Sequence, residues 1–403
     1  MSLHNYTFPM ATRNPQVSQQ IRVGYLDSAR ALAILSVILV HTGSAAEAMS
    51  ERNGTTLIPE FIFQITDLGK FGVQLFFLLS GILVTRLYKV DNSHATWKRQ
   101  FVTKRFARIL PLWTAFLVLQ IGLYLSPLRD WSSLQNLNAA GLDTTLFLFG
   151  VAFLTMTFTL WVLPELWNTV IAGGWSIQVE IAHYLLFLFL NTKSLRAWMW
   201  MLCLSQAINF LAFAATLAPS SILKWGGEAI LRFGICNSFF FFALGVIAVR
   251  LVESQKRSKS GIWFGAELAW PALGAFAFMV LTPGNLADNL IKSGFVASSL
   301  IVAFLLSNVN RFQPLIGEIA RYSYFMYFCH FWVLAVIFRI YERYGSTLPL
   351  TGYSAVLLLL VVYLIVTGTS LAIGFLSFRI FERPAQNWIV RQGSRLVTQK
   401  AKG

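Results

Sequence analysis

Charge is what this sequence has least of. Of its 403 residues only 12% are Asp, Glu, Lys or Arg, about half the share of an ordinary soluble domain, whereas 56% are hydrophobic. That balance excludes a water-soluble globular fold and points to a chain that resides in a lipid bilayer. Acids are scarcer than bases, 17 against 32, which leaves a net charge of +15. Cysteine is scarce too: Cys203, Cys236 and Cys329 each sit inside an apolar run with no short mutual spacing. A disulfide framework and a metal knuckle are thereby excluded, and small buried side chains are the expected role. The first 25 residues hold no apolar stretch ending in a small-residue cleavage site, so the first spanning helix is expected to insert the chain.

What is present is a series of apolar runs, each long enough to cross hydrocarbon as a helix. Candidate segments lie near 26–48, 61–86, 109–126, 141–163, 175–190, 197–217, 233–251, 262–282, 294–308, 322–341 and 353–378, an odd number. The connection from Arg86 to Arg108 carries Lys89, Lys98, Arg99, Lys104 and Arg105 against the single acid Asp91, which marks it as cytoplasmic. Lys193 with Arg196, the cluster Arg250, Lys256, Arg257 and Lys259, and the tail with Arg391, Arg395, Lys400 and Lys402 call for the same side. Eleven full spans cannot satisfy all of these clusters. If the segment 141–163 enters and leaves on the outer side, ten spans remain and both termini are cytoplasmic. The expected fold is therefore an all-α integral membrane protein with about ten transmembrane helices and one re-entrant outer segment. Its expected parts are a cytoplasmic segment 1–25, a membrane domain 26–380 and a basic cytoplasmic tail 381–403. The positive balance then reflects topology and attraction to anionic inner-leaflet lipid, and no nucleic-acid partner is called for.

Ionisable side chains inside the runs are costly and therefore informative. Asp27, Arg30 and His41 fall in the first span, Asp67 and Lys70 at the start of the second, Glu180 and His183 in the fifth segment and His330 near the tenth. Arg30 and His41 are eleven residues apart, which returns a helix almost to its starting azimuth and separates them by about 16 Å along its axis. Asp27 joins the same stripe. One reading makes Asp27 and Arg30 interface anchors with His41 capping the outer end; the other makes the stripe a catalytic face. Histidine suits removal of a hydroxyl proton near neutral pH, and a carboxylate can orient it. Glu180, expected one turn inside the outer surface, is placed to be that carboxylate. His183 follows Glu180 by three residues, but no second pair completes a ligand set, so no metal is expected. His330, among aromatics in YSYFMYFCHFW, reads as a core histidine, and Asp67 with Lys70 as an ion pair at the outer mouth. Arg105 and Arg108 share a helical face that suits phosphate recognition, with a positive-inside anchor as the plainer alternative. Ser80 and Gly81 are small enough to let a second helix or a thin ligand chain approach the backbone.

At these residues the chain resembles the acyltransferase 3 family of membrane-bound acyltransferases. The segments that carry the resemblance are LDSARALAILSVILVH (26–41), GVQLFFLLSG (72–81), FVTKRFARILPLW (101–113), GGWSIQVEIAHYLL (173–186) and ARYSYFMYFCHFW (320–332), with a weaker echo in FERPAQNW (381–388). The ordered set is specific where each motif alone is weak. The resemblance implies His41 as the central catalytic residue with Arg30 its partner, Arg105 and Arg108 as contacts for an acyl-CoA donor, acetyl-CoA by family preference, and Glu180 as part of the active cavity; Ser80, where a thin ligand chain can approach, is expected to contact the donor with the two arginines. It further implies a bacterial cytoplasmic membrane and a carbohydrate or lipid-linked glycan acceptor, such as O-antigen or exopolysaccharide. His183 stands where the family has an aromatic residue, and Gln74 where an acid is common. Composition alone leaves a secondary transporter or a glycan flippase as the alternative.

Overall fold

The computed structural model describes residues 24–53, 59–88, 97–127, 145–159, 170–190, 194–224, 226–227, 235–256, 298–302, 312–344 and 352–400. All regular structure among them is helical. In chain order the principal helices are α1 (Gly24–Asn53), α2 (Glu60–Asp67), α3 (Gly72–Leu87), α4 (Trp97–Tyr124), α5 (Thr145–Met156), α6 (Gly174–Leu190), α7 (Leu195–Thr216), α8 (Ile235–Lys256), α9 (Gln313–Tyr344), α10 (Tyr353–Ser377) and α11 (Arg383–Lys400). A 3₁₀ turn at Leu68–Phe71 joins α2 to α3, and a π-helical turn at Phe378–Glu382 joins α10 to α11.

Six of these stretches are long and apolar enough to cross a bilayer: Gly24–Met49, Glu60–Leu87, Trp97–Tyr124, Leu195–Thr216, Gln313–Tyr344 and Tyr353–Gly393. Gly174–Leu190 and Ser238–Leu251 are shorter apolar helices. The ten spans expected from the sequence include 262–282, which lies outside the described residues, and 294–308, of which only 298–302 are described. Large apolar side chains point outward on these helices, among them Leu357, Leu360 and Leu364 on α10 and Trp200 and Leu211 on α7. In water such a surface is unstable; in lipid it is the natural exterior.

Between lipid-embedded helices no hydrophobic force discriminates partner from solvent, so close backbone approach matters more. It is clearest where α3 crosses α8: a Cβ on Gly81 would meet the Phe242 carbonyl oxygen at 2.1 Å, and one on Gly245 the Leu78 oxygen at 2.3 Å. Gly81 therefore admits a helix, while its neighbour Ser80 turns to the cavity described below.

Helix directions follow from the side-chain contacts. Tyr25 near the start of α1 accepts a hydrogen bond from Arg86 at the end of α3 (2.6 Å), so α1 and α3 are antiparallel. α9 is parallel to α1: Ser323 shares a cavity with Arg30, and further along both helices His330 meets His41. α4 and α6 are antiparallel, since Arg105 lies against Tyr184 late in α6 whereas Trp113 lies against Gly174 at its start. The chain thus leaves α4 and enters α6 from the same end of the bundle. Between them, α5 has 12 residues, about 18 Å, too short for hydrocarbon about 30 Å thick. It stops where Phe158, at φ 56°, stacks on Trp113 with ring centroids 5.2 Å apart. The Trp113 indole N–H donates to the Thr155 carbonyl at 3.0 Å and fixes the depth of that stop.

Candidate active site

A cavity with about 710 Å³ of space unfilled by protein atoms opens among α1, α3, α4, α6 and α9. Five of the six site residues expected from the sequence line it: Arg30, Ser80, Arg105, Arg108 and Glu180. Three guanidinium groups therefore face one carboxylate. Arg30 lies 3.6 Å from Asp27 one turn earlier on its own helix. Arg105 is 6% exposed, lies over the rings of Tyr184 (5.2 Å) and Phe101 (5.8 Å), and its Nε has no hydrogen-bond partner. Among the described residues neither Arg105 nor Arg108 is paired with a carboxylate. A buried, weakly hydrated guanidinium with unused donors is the group that recognises phosphate.

Glu180 is held by two hydroxyls from different directions. Ser80 on α3 donates to its Oε1 at 2.7 Å, and Tyr184, one turn on in α6, donates to the same oxygen. This corrects the expected depth of Glu180, which sits level with the arginines and makes no hydrogen bond with His41. The cause is the start of α6, which is already inside the bundle: Gly174 lies against Trp113 and Ile171, and Ile171 and the preceding Val170 are buried. Six residues on, about 9 Å by helical rise, the carboxylate has reached the arginine level. Gly173 makes that buried entry possible. It has φ +73°, and a Cβ there would lie 2.9 Å from the Phe331 ring and 3.2 Å from Tyr327.

His41 does not line the cavity. It is half-buried beyond it, with its ring centroid 5.3 Å from His330 and 4.5 Å from Phe331. Tyr327 stands between: its ring lines the cavity on one side and is 6.0 Å from His330 on the other. The Tyr327 hydroxyl accepts from Ser176 at 2.8 Å and donates to the Gly173 carbonyl at 3.1 Å, which locks the ring in place. The expected open line from Arg30 to His41 is thus closed by a ring partition, and the intervening α1 residues Ile34 and Val37 are fully packed.

His330 lies among aromatic rings, as the sequence leads one to expect, but beside His41. It is fully buried, and its Nδ1 lies 2.9 Å from the Met326 carbonyl, which can only accept, so Nδ1 carries the proton. Its Nε2 then presents a lone pair with no partner, an unusual state for a buried nitrogen. Its four-residue step beyond Met326 and seven-residue step beyond Ser323 place it on the cavity stripe of α9, a signal legible in the sequence. Tyr184, one turn after Glu180, was legible by the same rule. Ser176 and Tyr327 were not, because their meeting depends on how α6 and α9 pack.

The remaining candidates lie outside the arginine cavity. His183 is fully buried, stacked on Phe242 with centroids 5.1 Å apart, edge-on to Phe77 and 3.4 Å from the Ile235 carbonyl. Lys70 pairs with Asp67. Cys329 is buried, but Cys203 lies on the exposed face of α7, not in the core. Among the described residues no group of three or more His, Cys, Asp or Glu side chains is placed to hold a metal ion.

Residues 23–379 match the acyltransferase 3 family, described as an acyltransferase domain. The chain is 24% identical over 361 residues to the acyltransferase MdmB of Streptomyces mycarofaciens, an overlap covering 81% of each protein. No solved structure matches.

Proposed function

The chain belongs to the acyltransferase 3 family and is a multi-pass membrane acyltransferase; from that premise we propose that it takes an acyl group from cytoplasmic acyl-CoA and transfers it to a hydroxyl of a carbohydrate or lipid-linked glycan on the far side of the membrane. The observation that carries this reading is the pair Arg105 and Arg108, unpaired and facing a cavity whose wall also holds Arg30 and Glu180. In the ten-span arrangement, with α5 re-entrant, both termini and the arginine end of the bundle are cytoplasmic, as the Lys and Arg clusters require. The bacterial cytoplasmic membrane is the location that the family resemblance implies. Acetyl-CoA is the simplest donor and O-antigen or exopolysaccharide the acceptor type implied by the family.

Donor phosphates dock on Arg105 and Arg108 through charge-assisted hydrogen bonds. Glu180, fixed by Ser80 and Tyr184, and Arg30, beside Asp27, complete the polar wall and leave Arg105 and Arg108 for the donor. The thioester then moves along the α1–α9 seam towards His41, which requires the Tyr327–Phe331 partition to swing aside. At His41 the acceptor oxygen attacks the thioester carbonyl. Its proton passes to the imidazole, the C–S bond breaks, and the leaving thiolate takes the proton back, giving an ester and free CoA. The Nε2 of His330 is the acceptor available to orient His41, a positioning role that the sequence had assigned to Glu180.

The test is transfer of isotope from labelled acetyl-CoA, supplied on one face of proteoliposomes holding the purified protein, to glycan acceptors on the other. Label in the acceptor fraction is the expected result. Movement of unmodified glycan or of intact donor, with no label transferred, would replace this reading with a transporter or flippase.

A further inference from the structure

A second pocket lies on the α1–α9 seam, on the other side of His41 from the arginines. It begins at Thr42, next to His41, and at Leu334, one turn beyond His330, where α1, α9 and the first turns of α10 flank about 470 Å³ of space unfilled by protein atoms and partly open to the outside. Thr42, Ala45 and Met49 form one wall, Leu334 and Ile337 a second, and Leu359 a third. No charged side chain lines it. The Thr42 hydroxyl is turned back on its own helix, donating to the Ile38 carbonyl at 2.7 Å. α9 contributes this wall from the stripe that carries His330, since Leu334 and Ile337 follow it by four and seven residues. Small residues keep the pocket open: Ala45 and Ala46 on α1 and Ala355 on α10 stand where larger side chains would fill it.

We propose that this pocket receives the hydrocarbon end of the donor's acyl group, so that the protein transfers acyl groups longer than acetyl. The proposal rests on His41 as the point of transfer. A thioester held by its phosphates at Arg105 and Arg108 comes to His41 from one direction, and whatever follows its carbonyl continues in that direction. The pocket wall starts within about 5.4 Å, one helical turn. A sugar suits the space poorly, because among the residues that line it only the Thr42 and Tyr341 hydroxyls could meet its hydroxyls, and buried hydroxyls need partners. A hydrocarbon chain suits it, each methylene removed from water favouring occupancy by about fourfold. The chemistry of transfer is unchanged; only the acyl group is specified.

Rates are measured with purified protein in liposomes for acetyl-, propionyl-, butyryl- and hexanoyl-CoA, in the wild type and in Ala45→Phe and Ala355→Phe. The expected result is that the wild type uses the longer donors and that each substitution lowers the hexanoyl-to-acetyl ratio at least tenfold. A wild type that transfers acetyl alone, or ratios untouched by both substitutions, overturns the proposal while leaving acyl transfer itself standing. A shift in dependence on acceptor lipid at constant chain-length ratio assigns the pocket to the acceptor and likewise overturns it. Hexanoyl-CoA with a photoreactive group at the chain end gives a reading that needs no turnover. Labelling within 42–49, 334–341 and 355–362 supports the pocket, and labelling confined elsewhere rejects it even where the variants fold poorly.

Discussion

The same two helices build two opposite environments. Where α1 and α9 pass the arginine cavity they contribute Arg30, Ser323, Tyr324 and Tyr327; beyond His41 and His330 they contribute Ala45, Leu334 and Ile337. The difference shows what each environment costs to build in lipid. A charge there needs partners, so the polar half draws on α3, α4 and α6 as well, and Glu180 alone is fixed by Ser80 and Tyr184. An apolar pocket needs only small residues at the right heights. His41 sits on the boundary, and the sharpest way to break the comparison is to remove it. His41→Ala should lower acyl transfer about 10²–10⁴-fold, the usual contribution of a general base, for donors of every chain length. Wild-type product at matched membrane expression would mean that the two halves do not meet at this imidazole.

The next largest effect separates the halves. Arg105→Ala and Arg108→Ala should each raise the donor concentration needed by about 10–100-fold, the worth of a charge-assisted hydrogen bond, equally for acetyl- and hexanoyl-CoA. Equal donor titrations in wild type and variants would remove both arginines from the donor site. A change in chain-length ratio with the arginines, or in donor requirement with Ala45→Phe, would collapse the distinction between the two regions. Donor and chain-length effects should add in the Arg105→Ala/Ala45→Phe double variant, because groups without shared partners act independently.

At the boundary a smaller effect is expected. His330→Phe, which keeps the ring but removes the lone pair, should cost about tenfold in turnover, the order of one hydrogen bond, and should also alter the pH profile of the rate. A side chain that only filled space would lower the amount of folded protein and leave the pH profile of the remainder alone. Partial recovery in His330→Gln, whose amide oxygen can accept a hydrogen bond, would mark positioning as its function.

Part of the polar half was legible in the sequence because it breaks a rule: charges within apolar runs stand out, as Arg30 and Glu180 do, whereas Arg105 and Arg108 lie in a basic connection and were singled out by their shared helical face and the family resemblance. Their depth was less legible. Helix α6 begins buried at Gly173 and Gly174, and nothing local says that Trp113 and Phe331 lie over that start. An error of about two turns in where a helix enters placed Glu180 beside the wrong residue. The apolar half was invisible, since Ala45, Leu334 and Leu359 are what any lipid-embedded helix contains. The pocket exists only in how three helices pass one another. The alternation of basic clusters supplied a topology, but length and composition of the described helices carry only six spans with two shorter companions.

The finest test asks whether polarity in the arginine half acts through its cross-helix bonds or merely by being polar. Ser80 and Thr85 both carry a hydroxyl on α3, five residues apart and so about 140° apart around the helix. The Ser80 hydroxyl reaches across to Glu180 at 2.7 Å, whereas that of Thr85 turns back to the Gly81 carbonyl of its own helix at 2.8 Å. Removing the first leaves Glu180 with only Tyr184 and should raise the donor requirement about fivefold in Ser80→Ala, the value of one ordinary hydrogen bond. Thr85→Val deletes an equivalent group that steadies nothing outside its helix, and donor titration should stay within about twofold of wild type. Matching shifts in the two variants would mean that helix α3 as a whole, rather than the Ser80–Glu180 contact, sets the shape of the donor cavity.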